Sequence, residues 1–210
     1  MSVIIWFCCI AAVCIIATLA SNKLSICQGY EIGSQKIRNS SLVISLFYGV
    51  LQLFVIKFTN QPFGSDNLSL TLVNTAIVSI IITLSMIDYY YEEVSTLFVA
   101  VIAILGIIHI FLDISTINSS IMMGAGLYFI YFLIFMITNA FGGGDVKLAG
   151  ALGLSSSFST FGIFVIAPFG IAVAIYGVIK LFKKNVPEKI PFVPFMTAGF
   201  CVSTLYAHFI

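Results

Sequence analysis

Leu148 to Phe182 reads LAGALGLSSSFSTFGIFVIAPFGIAVAIYGVIKLF, 35 largely apolar residues whose reading as one membrane crossing or two decides the fold. About 20 apolar residues carry a helix across a roughly 30 Å hydrocarbon core, so the run is too long for one span and short for two. Ser155-Ser156-Ser157 and Pro168 interrupt it. Hydropathy places further spans at about 3–20, 41–57, 69–87, 94–112, 121–139 and 190–209. If the chain starts outside and 148–182 crosses twice, Lys23, Lys36, Arg38, Lys147, Lys180, Lys183, Lys184 and Lys189 fall inside and only Lys57 outside. That distribution obeys the positive-inside rule, whereas a single crossing would divide the basic residues between the two faces. The sequence therefore predicts an all-α membrane protein, a polytopic bundle of about eight transmembrane segments, one of them short.

Composition agrees: 60% of the 210 residues are hydrophobic and 8% charged, against about 25% charged in soluble domains. The net charge of +1 comes from scattered loop residues, so nothing here suggests nucleic acid as a partner; the lipid bilayer is the expected one. Cys8, Cys9, Cys14 and Cys201 lie in apolar segments and Cys27 in a polar stretch, which gives neither a disulfide framework nor a zinc spacing. No metal is expected. Val3 to Ala20 lacks a basic leading region and is read as a retained span. No linker or repeat divides the chain, so residues 1–210 are read as a single membrane domain whose one sizeable loop is about 21–40. Ala149-Gly150-Ala151-Leu152-Gly153 offers small residues at helical spacing, a face that lets helix backbones approach and shields a short segment from lipid.

In this topology Asp88 ends the third span and Asp145 precedes the sixth, so both carboxylates face one side at similar depth. An acid near a membrane helix is costly, by about 2.5–3.5 kcal/mol at the bilayer centre and less toward the interface. Helix capping offers one reading, since a helix N-terminus favours an aspartate. It suits Asp145 better than Asp88, which closes Ser85-Met86-Ile87-Asp88 at the unfavourable C-terminal end. The other reading is chemical: two adjacent carboxylates share one proton, so one acid activates water while the other holds a carbonyl oxygen. Asp66, Asp113, Glu31, Glu92, Glu93 and Glu188 read as loop charges. His109 and His208 fall toward the outer side, away from the aspartates, and no Ser-His or Cys-His pair shares a face. Gly142-Gly143-Gly144 lacks the GK[ST] ending of a phosphate loop, and is expected instead to let backbone or substrate approach Asp145.

Gly142-Gly143-Gly144-Asp145-Val146-Lys147-Leu148-Ala149-Gly150-Ala151-Leu152-Gly153 resembles the GxGD segment of prepilin peptidases, the type IV leader peptidase family, with Gly142, Gly144 and Lys147 as supporting motif positions. Lys189-Ile190-Pro191-Phe192-Val193-Pro194-Phe195 is similar to the IPFxPF segment opening that family's last helix. Ile87-Asp88 stands at the place of its first catalytic aspartate. The resemblance implies a catalytic core over 69–210 and an eight-helix intramembrane aspartic endopeptidase with Asp88 and Asp145 as its dyad. It also implies a prepilin or pseudopilin substrate, whose short basic leader ends in glycine ahead of a hydrophobic helix. Cleavage would occur on the cytoplasmic side of a bacterial inner or cytoplasmic membrane. Glu92 and Glu93 are then the expected readers of the basic leader.

The chain departs from the family pattern in two places. Tyr89-Tyr90-Tyr91-Glu92-Glu93-Val94-Ser95-Thr96 keeps the family's length but lacks its Ile-Pro-Asp ending. The four-cysteine zinc-type module of long members is reduced to about 21–40, with Gly29-Tyr30-Glu31-Ile32 and Lys36-Ile37-Arg38 resembling a remnant. Long members also N-methylate the new pilin N-terminus, so S-adenosylmethionine is expected as a cofactor only if that activity is retained. Two alternatives remain at this level: a non-enzymatic scaffold or proton-coupled carrier, and a signal-peptide or presenilin type of GxGD protease. The first commonly shows repeats that are absent here, and the second lacks the IPFxPF ending.

Overall fold

The computed structural model describes residues 3–30, 35–59, 65–138, 142–182 and 191–207. Among these residues the secondary structure is helical: α1 (Val3–Cys27), α2 (Gln35–Phe58), α3 (Ser65–Tyr91), α4 (Thr96–Leu112), α5 (Ile117–Thr138), α6 (Gly143–Gly153), α7 (Phe161–Phe182) and α8 (Val193–Tyr206). Single 3-10 turns at Ile114–Thr116 and Phe158–Thr160 precede α5 and α7. Glu31, Lys183, Lys184, Glu188, Lys189 and His208 lie outside the described residues. Among the described residues five helices are long and apolar enough to cross a membrane, and α4 and α8 are shorter apolar helices. The molecule is an all-α, multi-pass membrane bundle.

The run 148–182 does supply two segments. One is α7, with 22 residues; the other is α6, whose 11 residues span about 16 Å at 1.5 Å each, roughly half the hydrocarbon thickness. α6 starts five residues earlier than the apolar run, at Gly143, and so takes Asp145 into its first turn. Beyond Gly153 the Ser155 and Ser156 hydroxyls donate to the Leu152 carbonyl (3.0 and 3.2 Å), local bonds that compete with helix continuation. The Phe158 amide then donates to Ser119 Oγ near the start of α5 (2.8 Å), so the short helix and its following turn together match the depth of α5. Pro168 lies inside α7 without ending it, and Gly199 of α8 leaves room for its ring: a Cβ there would stand 2.5 Å from Pro168 Cγ.

α3 is the hub, packing against α1, α2, α4 and α8. Of its apolar window 61% is buried, against 11% for α7 at the periphery. Thr71, Thr75, Ser79 and Thr83, four apart on one face of α3, are all buried. Thr75 donates to Gln52 Oε1 of α2 (3.0 Å) and Thr83 pairs with Ser21 of α1 (3.1 Å), while Thr18 and Ser45 join α1 to α2 (3.0 Å). Hydrogen bonds of this kind give specific pairing where apolar side chains find lipid as good a neighbour as another helix. α5 and α6 use the other device, close backbone approach. A Cβ on Gly153 would lie 2.6 Å from Gly124 Cα, and one on Gly150 would lie 3.1 Å from Tyr128 Cβ, so the small-residue face is the α5 contact.

Several boundaries differ from the hydropathy reading, two of them with consequences for the site. α1 remains helical through Cys27 and α2 begins at Gln35, so most of the expected 21–40 loop is helix and the connection is 28–34. α3 continues to Tyr91, which sets Asp88 one turn inside the helix rather than at its end.

Candidate active site

Asp88 and Asp145 are each 5% exposed, an expensive location for a carboxylate unless something holds it. For Asp145 the holding group is local. Gly142, in extended conformation, is the N-cap of α6; its amide donates to Asp145 Oδ2 (3.0 Å) and its carbonyl accepts from the Asp145 amide (3.1 Å). The carboxylate thus sits at the electropositive end of its own helix. Only one oxygen is used: among the described residues, Asp145 Oδ1 is buried with no hydrogen-bond partner. Capping accounts for one oxygen of this side chain and leaves the other unaccounted for.

Asp88 lies near the C-terminal end of its own helix but at the N-terminal end of another. Its Oδ2 accepts from the Val193 amide (3.0 Å), the first residue of α8. Pro191 and Pro194 flank that position, and the absence of an amide hydrogen on Pro194 costs nothing in a first helical turn. The segment 191–195 therefore directs one buried amide at Asp88. Ser85, one turn earlier on α3, pairs with Thr197 one turn later on α8, which fixes the register between the two helices.

The two acids come together because two turns pack on each other. A Cβ on Gly144 would stand 2.7 Å from Val94 Cβ, so only glycine lets the start of α6 meet the α3–α4 turn. The Asp88 charge acts on Asp145, and the Glu92 charge on Asp88. Glu92 itself has φ 53 and donates its amide to the Asp88 carbonyl (2.8 Å), closing α3 in a conformation usually left to glycine. The Glu93 carboxylate lies within electrostatic reach of the Tyr30 hydroxyl. Lys147, on α6, is exposed.

Tyr131 and Tyr176 also belong to this region, and nothing in their surroundings in the sequence marks them. Tyr131 of α5 is fully buried, within electrostatic reach of Asp145, its ring against Phe169 and Phe192 (centroids 5.6 and 6.2 Å). Tyr176 of α7 lies within reach of Asp88 and packs on Phe195 (5.9 Å). A tyrosine in an apolar span looks like core until the opposing helices are placed.

The far end of the bundle carries a different polar site, a cavity of about 310 Å³ lined by residues including Asn74, His109, Asp113, Ser156 and Thr204. It is separated from Asp88 by most of the length of α3, about 25 Å from Thr71 at 1.5 Å per residue. Neither aspartate lines it, and His109 lies there, as its position toward the other side requires.

Residues 75–178 match the model of the type IV leader peptidase family. The chain belongs to that family. No curated protein and no solved structure matches it. The matched region of this leader peptidase family member begins within α3, contains both aspartates and ends within α7, so the Val193 amide that holds Asp88 lies beyond it. Family membership places the chain among membrane peptidases.

Proposed function

We propose that this chain is an intramembrane aspartic endopeptidase that removes the short basic leader of type IV prepilin-like or competence pseudopilin precursors at the cytoplasmic face of a bacterial inner or cytoplasmic membrane. One observation carries the reading: two buried carboxylates, each with one oxygen fixed by a backbone amide, act on one another across the contact between Gly144 and Val94. Close carboxylates cannot both ionise cheaply, so the pair holds one proton. The ionised acid takes a proton from water as the water attacks the scissile carbonyl. The protonated acid hydrogen-bonds the carbonyl oxygen and then supplies the leaving amine. The amides of Gly142 and Val193 keep each carboxylate in a fixed orientation, which lowers the reorganisation needed at the moment of attack.

A substrate whose own helix lies in the membrane brings its leader junction to the interface, where the α3–α4 turn and the start of α6 meet. Glu92 and Glu93 are exposed there and suit a basic leader. S-adenosylmethionine chemistry is left out of the proposal, because the connection after α1 is too short for the cysteine module associated with it in long members. Co-expression with a pseudopilin carrying a basic leader, a glycine and an apolar helix tests the reading: a shortened product with the wild type, and none with Asp145→Asn, is the expected result. No shortened product with the wild type would overturn it.

A further inference from the structure

α1 ends in a defined corner, where the connection to α2 begins. Gly29 has φ +82, its amide donates to the Ile26 carbonyl (3.0 Å), and the Tyr30 amide donates to the Ser25 carbonyl (3.1 Å). This pair of bonds is the Schellman helix ending, whose left-handed position glycine occupies without strain. It turns Gln28 and Tyr30 toward the α3–α4 turn. Gln28 Oε1 accepts from the buried Ser95 hydroxyl (2.7 Å), although Ser95 is the N-cap of α4 and makes no side-chain cap bond of its own. The Tyr30 ring packs on Tyr91 (centroids 5.3 Å), and its hydroxyl lies within electrostatic reach of the Glu93 carboxylate. Burial first, then the Glu93 carboxylate, hold that hydroxyl above the ordinary phenol range, so at neutral pH it is a protonated donor.

These ties bracket the turn from Tyr91 to Ser95. Within it Glu92 adopts its left-handed conformation, and Val94 presses on Gly144, next to Asp145. We infer that the Gln28–Tyr30 corner is a positioning element, which holds the α3–α4 turn against the start of α6 and thereby sets the separation of Asp88 and Asp145. The inference rests on the reading of these two residues as the catalytic pair. It gives the reduced connection a mechanical role: the ties seat Val94 on Gly144, and the ring contact with Tyr91 aligns the last turn of α3.

The test uses the full chain in detergent or nanodiscs. A Gln28→Ala, Tyr30→Phe double variant removes both polar ties and keeps the Tyr30–Tyr91 ring contact, while Gln28→Glu keeps the acceptor for Ser95. With a basic-leader pseudopilin as substrate, kcat should fall on the order of tenfold in the double variant with KM within about twofold, and Gln28→Glu should stay near wild type. Spin labels at Tyr90→Cys and Gly143→Cys, in a cysteine-free background, report the two turns directly; Gly143 has open space for a side chain. The distance distribution should be narrow in the parent and in Gln28→Glu, and broad in the double variant. Gly29→Ala, strained at its φ, should broaden it too. Unchanged kcat overturns the proposal, and so does a loss of kcat with an unchanged distance distribution. If the parent cleaves no basic-leader substrate, it is the peptidase reading that fails, and the distance measurement still decides whether the corner holds the turn.

Discussion

Asp88 and Asp145 are the same side chain under the same burial, yet they are held in opposite ways. Asp145 accepts from the amide of Gly142, three residues before it, and caps the helix it belongs to. Asp88 accepts from the amide of Val193, 105 residues away, and caps a helix it does not belong to. The comparison explains how an acid tolerates the C-terminal end of α3: the electropositive end of α8 offsets the unfavourable end of its own helix. It also separates the two acids by what each depends on. Asp145 needs only its own turn to be held, whereas Asp88 needs α3 and α8 packed in register through the Ser85–Thr197 pair.

The largest expected effect ignores the difference between them. Asp88→Asn and Asp145→Asn each keep an oxygen able to accept the same backbone amide, so both should insert and fold while losing leader cleavage below detection. Gel assay of a pseudopilin in detergent, with circular dichroism beside it, checks this, and full activity in either variant removes that residue from the pair. Next in size is the contact that joins the two turns. Gly144→Ala places a Cβ 2.7 Å from Val94 Cβ and should lower kcat by about 10- to 100-fold, with partial recovery in a Gly144→Ala, Val94→Gly double variant, which removes the opposing Cβ.

Stability then tells the two acids apart. Asp88→Ala leaves the Val193 amide without its acceptor and should cost about 1–3 kcal/mol. Asp145→Ala loses a local cap, worth about 0.5–2 kcal/mol. Thermal unfolding in one detergent should rank Asp88→Ala below Asp145→Ala, and the reverse order would show that the interhelical bond is the weaker one. The smallest effect concerns the asymmetry of charge around the pair, since Glu92 acts on Asp88. A Glu92→Gln, Glu93→Gln variant should raise KM for a basic-leader substrate by no more than about fivefold, the equivalent of about 0–1 kcal/mol per exposed pair, with kcat unchanged and a weaker salt dependence. An unchanged KM at low ionic strength would make the two glutamates bystanders.

Much of the bundle is legible in the chain because membrane spans are specified by length and charge, both of which are local properties. The two segments within 148–182, the shortness of one and the helix-facing role of Gly150 and Gly153 follow from hydropathy, basic residues and small-residue spacing. The helix start at Gly143 is less legible, because three glycines read as a loop until Gly142 caps and Val94 is seen to require the missing Cβ. The Gln28–Tyr30 corner was hidden for a related reason: a polar stretch between spans reads as loop, whereas Gly29 ends a helix in a fixed direction.

By itself the sequence determined an all-helical membrane bundle and two acids on one side of it, since apolar length, flanking charge and an aspartate beside a helix start act within a few residues. Only the tertiary structure decided that Asp88 meets the amide of Val193, that Tyr131 and Tyr176 stand beside the acids, and that Thr75 meets α2 and Thr83 meets α1. Spans this apolar are nearly interchangeable as lipid-facing or protein-facing surfaces. Which faces meet is therefore set by a few hydroxyls, glycines and backbone amides, whose partners lie tens to a hundred residues away.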